Sequence, residues 1–119
     1  MKQSIMSDPP IFKLCKFADL EPGAARQIEV PAAAEPLALF NIEGELFLTD
    51  DTCTHAMAPL SLGFVENGLV YCPLHGGAFE IATGRAVVSP CVTDLKCYHV
   101  WRDGDDIVTD LSPRPRGAN

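Results

Sequence analysis

Cys53-Thr54-His55 and Cys72-Pro73-Leu74-His75 are the segments whose residue types could do metal chemistry, and sixteen positions, 56–71, separate them. Each offers one thiolate and one imidazole. Together they supply two sulfur and two nitrogen ligands, a count that suits a 2Fe–2S cluster with one thiolate-held iron and one imidazole-held iron. Such a site moves electrons one at a time. Two neutral imidazoles in place of thiolates make the cluster less negative, so it is easier to reduce, with a potential within roughly −150 to +300 mV. Imidazoles also titrate, which would couple electron uptake to proton uptake. Three other readings use the same residues. Zinc accepts two Cys and two His, but finger spacings put the cysteines together and the histidines together, whereas each segment here mixes them. Cys53 or Cys72 could be a nucleophile beside a histidine, which leaves the other pair unexplained. Unrelated core or turn residues would have to place four ligand types in two tight segments by chance.

These segments must be carried by loops, and the surrounding pattern predicts strands. Ile11 to Phe17 reads as a first strand, and Arg26 to Val30 as a second. Prolines at both ends of 31–36 disfavour a helix there. Leu37 to Ile42 and Glu45 to Thr49 flank Glu43-Gly44, a hairpin signal. Leu69 to Cys72 leads into the second ligand segment and Ala78 to Ile81 leaves it. Leu95 to Trp101 and Ile107 to Leu111 form a last hairpin through Asp103-Gly104-Asp105. Eight or nine short strands without a convincing helix predict an all-β sandwich or barrel. Residues 1–10 read as a flexible lead-in, 11–111 as a single domain, and 112–119, with Pro113 and Pro115, as a flexible tail.

Several residues near the two segments have two readings. Gly76 and Gly77 could bring backbone N–H groups close to cluster sulfides, or simply turn the chain. Ser89-Pro90 could form a third loop over the site. His99, the remaining histidine, lies in a strand-like run and is expected to be a surface or packing residue. Asp103, Asp105 and Asp106 lack the EF-hand series of ligands and read as a solvated turn.

Composition narrows the function classes. At 119 residues, with 47% apolar and 21% charged residues, the chain is an ordinary globular domain without room for a second catalytic one. No apolar run approaches the roughly 18 residues that span a bilayer, and the N-terminus does not read as a secretory signal, so cytoplasmic residence is expected. A net charge of −7, from 16 acidic and 9 basic residues, argues against nucleic acid or an anionic membrane as partner. It permits steering toward a basic docking face on another protein. Five cysteines are an odd count against a disulfide framework; Cys15, Cys91 and Cys97 are expected to be free structural thiols.

Cys-Thr-His at 53–55 and Cys-Pro-Leu-His-Gly at 72–76, with this gap, resemble Rieske proteins. Length and flanks resemble in particular the Rieske-type ferredoxins of bacterial aromatic-ring-hydroxylating dioxygenase systems. Supporting residues include Leu39-Phe40-Asn41, Asp51-Thr52, Phe79, Thr83-Gly84, Leu95-Lys96, Tyr98 and Val100. The resemblance implies an antiparallel β-sandwich with a small cluster-binding subdomain, about 51–91, holding one Rieske 2Fe–2S cluster. It implies that Cys53 and Cys72 hold the buried iron, and His55 and His75 the outer one. It implies an electron carrier, not an enzyme, that serves between a flavin-containing ferredoxin reductase and a terminal Rieske oxygenase. A monomer is expected. The alternatives are a small Rieske-like subunit of a larger reductase, such as one for nitrite, and a structural zinc module. A stand-alone oxygenase would need two further histidines for a mononuclear iron, and only His99 is spare.

Departures from the respiratory Rieske pattern matter. Ala58 and Leu74 stand where those proteins carry a disulfide. Gly77 and Phe79 stand where they carry hydroxyl donors to the cluster, which predicts a potential at the low end of the range, raised by Ser at 77 or Tyr at 79. Ala56 and His99 replace a Gly and a Pro common in the ferredoxins. Met57, Pro59, Leu74 and Pro90 are expected to form an apolar docking collar around His55 and His75, with Asp50 and Asp51 adding steering.

Overall fold

The computed structural model describes residues 9–114. Its strands are β1 (Phe12–Lys16), β2 (Ala25–Ile28), β3 (Leu37–Ile42), β4 (Glu45–Asp50), β5 (Phe64–Glu66), β6 (Leu69–Tyr71), β7 (Ala78–Glu80), β8 (Ala86–Val88), β9 (Cys97–Tyr98), β10 (Trp101–Asp103) and β11 (Asp106–Thr109). They form three sheets, ordered β1-β11-β10, β2-β3-β4-β9 and β5-β6-β7-β8. Every strand pairing is antiparallel. The helical content among the described residues is two single 3₁₀ turns, Phe17–Asp19 and Leu60–Leu62. The all-β expectation holds, and no described helix is long and apolar enough to cross a membrane.

The middle sheet explains how one short chain supports two layers. β3 reads Leu-Ala-Leu-Phe-Asn-Ile without polar alternation, the signature of a strand covered on both faces. Leu37, Leu39 and Leu48 pack on one face with Leu20, Ile28, Val30 and Ile107, beneath Phe12 and Leu14 of the first sheet. Ala38, Phe40 and Phe47 face the other way, against Leu60, Val70, Phe79 and Ile81. Register fixes this division: Leu39 lies opposite Leu48, and Phe40 opposite Phe47. Each large side chain fully buried here contributes about 1.5–3 kcal/mol. Cys53, Cys72 and Cys91 belong to this second core, so the ligand segments grow out of packed apolar structure.

Tight turns set the hairpins. Glu43 and Gly44 both have positive φ, 53° and 90°, which matches the twist of β3 and β4. The Asn41 side chain accepts from Gly44 N–H at 2.8 Å. Asn67 and Gly68, at 54° and 79°, make the same kind of turn between β5 and β6. That Asn-Gly pair is a strong hairpin signal, yet the strand pattern suggested only β6. β5 and β8 have three residues each, too few to show a period.

Two expectations need correction. Leu95 to Trp101 is not one strand. Cys97 and Tyr98 pair with β4, whereas Trp101 to Asp103 pair with β11, so the chain crosses between sheets at His99-Val100. Ser112 to Arg114, expected in a flexible tail, are held instead. Pro113 bridges to Tyr98, Arg114 N–H donates to the Cys97 carbonyl at 2.9 Å, and the Arg114 guanidinium donates to the Ala82 carbonyl at 2.8 Å. The remainder of the expected tail, 115–119, and positions 1–8 of the lead-in lie outside the described residues.

Candidate metal centre

Cys53 and His55 lie on the loop after β4. Cys53 N–H donates to the Ala58 carbonyl at 2.8 Å, and Met57 N–H to the Cys53 carbonyl at 2.9 Å, which closes a tight turn with Met57 at φ 58°. Asp51 fastens this loop to the sandwich. It is 1% exposed, and its carboxylate accepts from Gln27 Nε2 at 2.8 Å, Ser61 N–H at 2.7 Å and Ser61 Oγ at 2.8 Å. Asp50 accepts from the Tyr98 hydroxyl at 2.7 Å. The steering role expected of these two aspartates is therefore corrected: Asp51 has no face to solvent, and Asp50 is engaged with Tyr98.

Cys72 and His75 lie on the connection between β6 and β7. Cys72 N–H donates to the Gly77 carbonyl at 2.8 Å, extending the ladder one step past the strands. His75 and Gly76 then turn the chain with consecutive positive φ values of 68° and 73°. A Cβ at Gly76 would meet nothing within 4 Å, so backbone conformation and not crowding favours glycine there.

The two loops meet, and they sort their ligands by depth. Cys53 and Cys72 are 0% and 4% exposed, whereas His55 and His75 are exposed, their ring centroids 5.7 Å apart at 69°. Burial alone would raise the Cys53 thiol. The backbone N–H groups of Ala56 and His55, with the Cys72 and Cys91 thiols, outweigh it and leave the Cys53 pKa below its ordinary value. Cys72 is raised, chiefly by burial and also by Cys53, against one backbone N–H from Leu74. Backbone donors aimed at both sulfurs are what thiolate ligands require. Among the described residues, no three His, Cys, Asp or Glu side chains converge to hold a single ion. The arrangement is instead a buried sulfur pair beside an exposed nitrogen pair. That donor set fits a two-iron group with one iron at each pair, and fits a four-ligand zinc ion poorly.

A third loop completes the site. Thr54 Oγ1 on the first loop donates to the Thr93 carbonyl at 2.6 Å. The Ser89–Pro90 peptide is cis, and Cys91 places its Sγ 3.8 Å from Cys53 Sγ. Burial, with Cys53 and Cys72 beside it, pushes the Cys91 thiol up to about 12. Gly77 owes its missing side chain to this loop. A Cβ there would sit 2.6 Å from Cys91 Sγ and 3.1 Å from Pro90 Cδ. Serine at 77, expected to add a donor, would therefore have to displace Cys91. Next to the ligands in the sequence, Met57 and Leu74 are 73% and 49% exposed; on the third loop Val92 is 81% exposed. Pro59 is half-buried and lines a groove with Ala25, Gln27 and Ser61, so it faces the sandwich and leaves the collar.

The remaining expected residues lie elsewhere. All five cysteines are free. Cys15 is on β1, and Cys97 on β9 packs where Gly84 leaves room for it. His99 is exposed at the crossing between sheets. Asp106 pairs with Lys13 and Lys16 at 3.5 and 3.2 Å. Sequence reasoning missed Asp51 and Cys91 as residues of the site. Cys91 had a signal, since it directly follows the proline of the suspected third loop. Asp51 showed only as a family-like residue before Cys53 and as a steering charge, because the Gln27 and Ser61 that reveal its clasping role are distant in the chain.

Residues 11–99 match the family model described as the Rieske [2Fe-2S] domain. The chain belongs to that family, and it carries one Rieske-type 2Fe–2S cluster. It is 42% identical over 83 residues, 70% of this chain and 80% of the relative, to the ferredoxin component of the naphthalene 1,2-dioxygenase system of Pseudomonas aeruginosa. Its fold is similar to a solved chain in the complex of reduced oxygenase and oxidized ferredoxin of carbazole 1,9a-dioxygenase. That match has a TM-score of 0.82 and 32% identity, covering 90% of this chain and 98% of the other. A protein described as the small subunit of an NADPH nitrite reductase is also similar, with TM-score 0.72 and 25% identity, covering 84% and 97%. Together with the site, these likenesses make the chain an electron-transfer ferredoxin rather than a catalyst.

Proposed function

We propose that Cys53 and Cys72 hold the inner iron and His55 and His75 the outer iron, and that the chain carries single electrons from a flavin-containing reductase to a terminal ring-hydroxylating oxygenase. The observation that carries this reading is the depth sorting of the ligands on two loops that meet: two buried thiols and two exposed imidazoles. The bound cluster supplies one-electron redox chemistry. The protein's own residues do the rest. The second core shields the sulfurs from water, which keeps the thiolates inert toward oxidants. The backbone N–H groups of His55 and Ala56 at the Cys53 sulfur, and of Leu74 at the Cys72 sulfur, stabilise negative charge there. His55 and His75 bring the site to the surface, where a partner can approach closely. Met57, Leu74 and Val92 form an apolar rim that excludes water on contact. We propose that the described fold, together with its held segment Ser112 to Arg114, acts as a single-domain monomer in the cytoplasm.

A dithionite-reduced sample mixed with a terminal oxygenase of such a system tests the reading. Electron transfer followed by absorbance should be fast in the parent and slowed at least tenfold by Met57→Glu or Leu74→Glu. The absorption spectrum of either variant should be unchanged. Equal rates in parent and variants would show that the rim does not dock. Isolation from its native host distinguishes the reductase-subunit alternative, because a ferredoxin should purify alone and a subunit with its large partner.

A further inference from the structure

Cys91 is the one buried thiol within reach of a proposed ligand that the proposed function leaves unused. It is 4% exposed, and its Sγ lies 3.8 Å from Cys53 Sγ, a hydrogen-bonding separation for sulfur and well beyond a disulfide bond of about 2.05 Å. Its position is fixed from three sides. Its N–H donates to the Val88 carbonyl at 3.2 Å, Pro90 precedes it, and Gly77 leaves the space that its sulfur fills. Between two free thiols either sulfur could donate. Once Cys53 is a thiolate ligand it has no proton to give, so a hydrogen bond between the two sulfurs is donated by the Cys91 S–H.

We propose that Cys91 is a positioning residue for electron transfer: its S–H donates to Cys53 Sγ and favours the reduced state of the site. The sign follows from charge. The added electron increases negative charge on the ligand sulfurs, so a donor to Cys53 interacts more strongly after reduction than before, and it raises the potential. The inference rests on the reading of Cys53 as a ligand. It also places a sulfur donor on the third loop of a site whose Gly77 and Phe79, on the second loop and β7, supply no hydroxyl.

Redox titration of the cluster-loaded protein tests it, with Cys91→Ala and Cys91→Ser beside the parent. Neither replacement is larger than cysteine, so neither collides with Gly77. At a fixed ambient potential, Cys91→Ala should lower the reduced-to-oxidised ratio by about three- to tenfold, tenfold being about 59 mV for one electron. Cys91→Ser keeps an O–H donor and should recover most of that loss. Thermal melting of the same samples reports any packing defect, which both variants would share. A potential unchanged in Cys91→Ala, or one that falls equally in Cys91→Ser, would overturn the proposal. Cys53→Ala separates the underlying reading: a parent-like spectrum there overturns the ligand assignment, whereas its loss alongside an unchanged Cys91→Ala potential overturns only the role of Cys91.

Discussion

The two ligand loops of this protein are held by different means. The first is clasped from outside by a side chain, because Asp51 gathers Gln27 from β2 and Ser61 from the far end of its own loop. The second is held by its own backbone, through the Cys72–Gly77 hydrogen bond and the left-handed pair His75-Gly76, and by close packing against Cys91. The difference teaches where each loop is vulnerable. The first fails when a polar partner is lost, and the second when volume is added.

Asp51→Ala should give the largest effect on stability. It removes the buried acceptor of three hydrogen bonds, each worth about 1 kcal/mol, and so costs about 3 kcal/mol, read by chemical denaturation. Asp51→Asn keeps one acceptor oxygen and should lose less. Equal stability of Asp51→Ala and the parent would remove the clasp from the comparison. Gly77→Ala comes next. Its Cβ would overpack against Cys91 Sγ at 2.6 Å and cost about 1–3 kcal/mol. Gly76→Ala should cost only the left-handed backbone penalty of about 1 kcal/mol, since its Cβ meets open space. The reverse order at these two glycines would show that conformation and not room limits the second loop.

A smaller effect is expected at high pH. Burial, and then the hydrogen bond to Asp50, raise the Tyr98 pKa above its ordinary value. The phenol is therefore held neutral in the fold. Its contribution is fully present below the unfolded pKa of about 10 and is lost as pH rises through the folded value. Tyr98→Phe should flatten that alkaline decline in a melting series. An equally steep decline in the variant would assign it to other groups. The smallest effect lies far from both loops. Asp106 is lowered by its hydrogen bond to Lys16, with Lys13 helping, so its contribution is present above the ordinary carboxylate pKa and fades as pH falls through the folded value. Both lysines are exposed, so Asp106→Asn should shift the acid arm of the same series only slightly, and less in high salt.

What was legible in the sequence follows the range of the forces involved. The four ligand-type residues were legible because metal chemistry restricts residue type and local spacing. The β3–β4 hairpin was legible because six-residue strands and a Gly44 turn leave a local pattern. The split of Leu95 to Trp101 was not, because both halves are strand-like and only pairing with β4 or β11 separates them. Asp51 looked like a surface charge until Gln27 and Ser61 were brought around it, contacts made by the tertiary fold alone. Gly77 looked like a glycine spared for the cluster, yet its nearest constraint is Cys91, fourteen positions onward in the sequence. Local chemistry was readable; the clasp and the packing that hold it in place arise from long-range contacts.

The central claim is that buried Cys53 and Cys72 and exposed His55 and His75 hold one cluster between them. The most direct test is the electron paramagnetic resonance spectrum of the anaerobically purified, dithionite-reduced protein, in the parent and in Cys72→Ala and His75→Ala. The account predicts a brown parent with a rhombic signal of low average g, lost in both variants. A colourless, signal-free parent that retained stoichiometric zinc, or a signal unchanged in both variants, would contradict it.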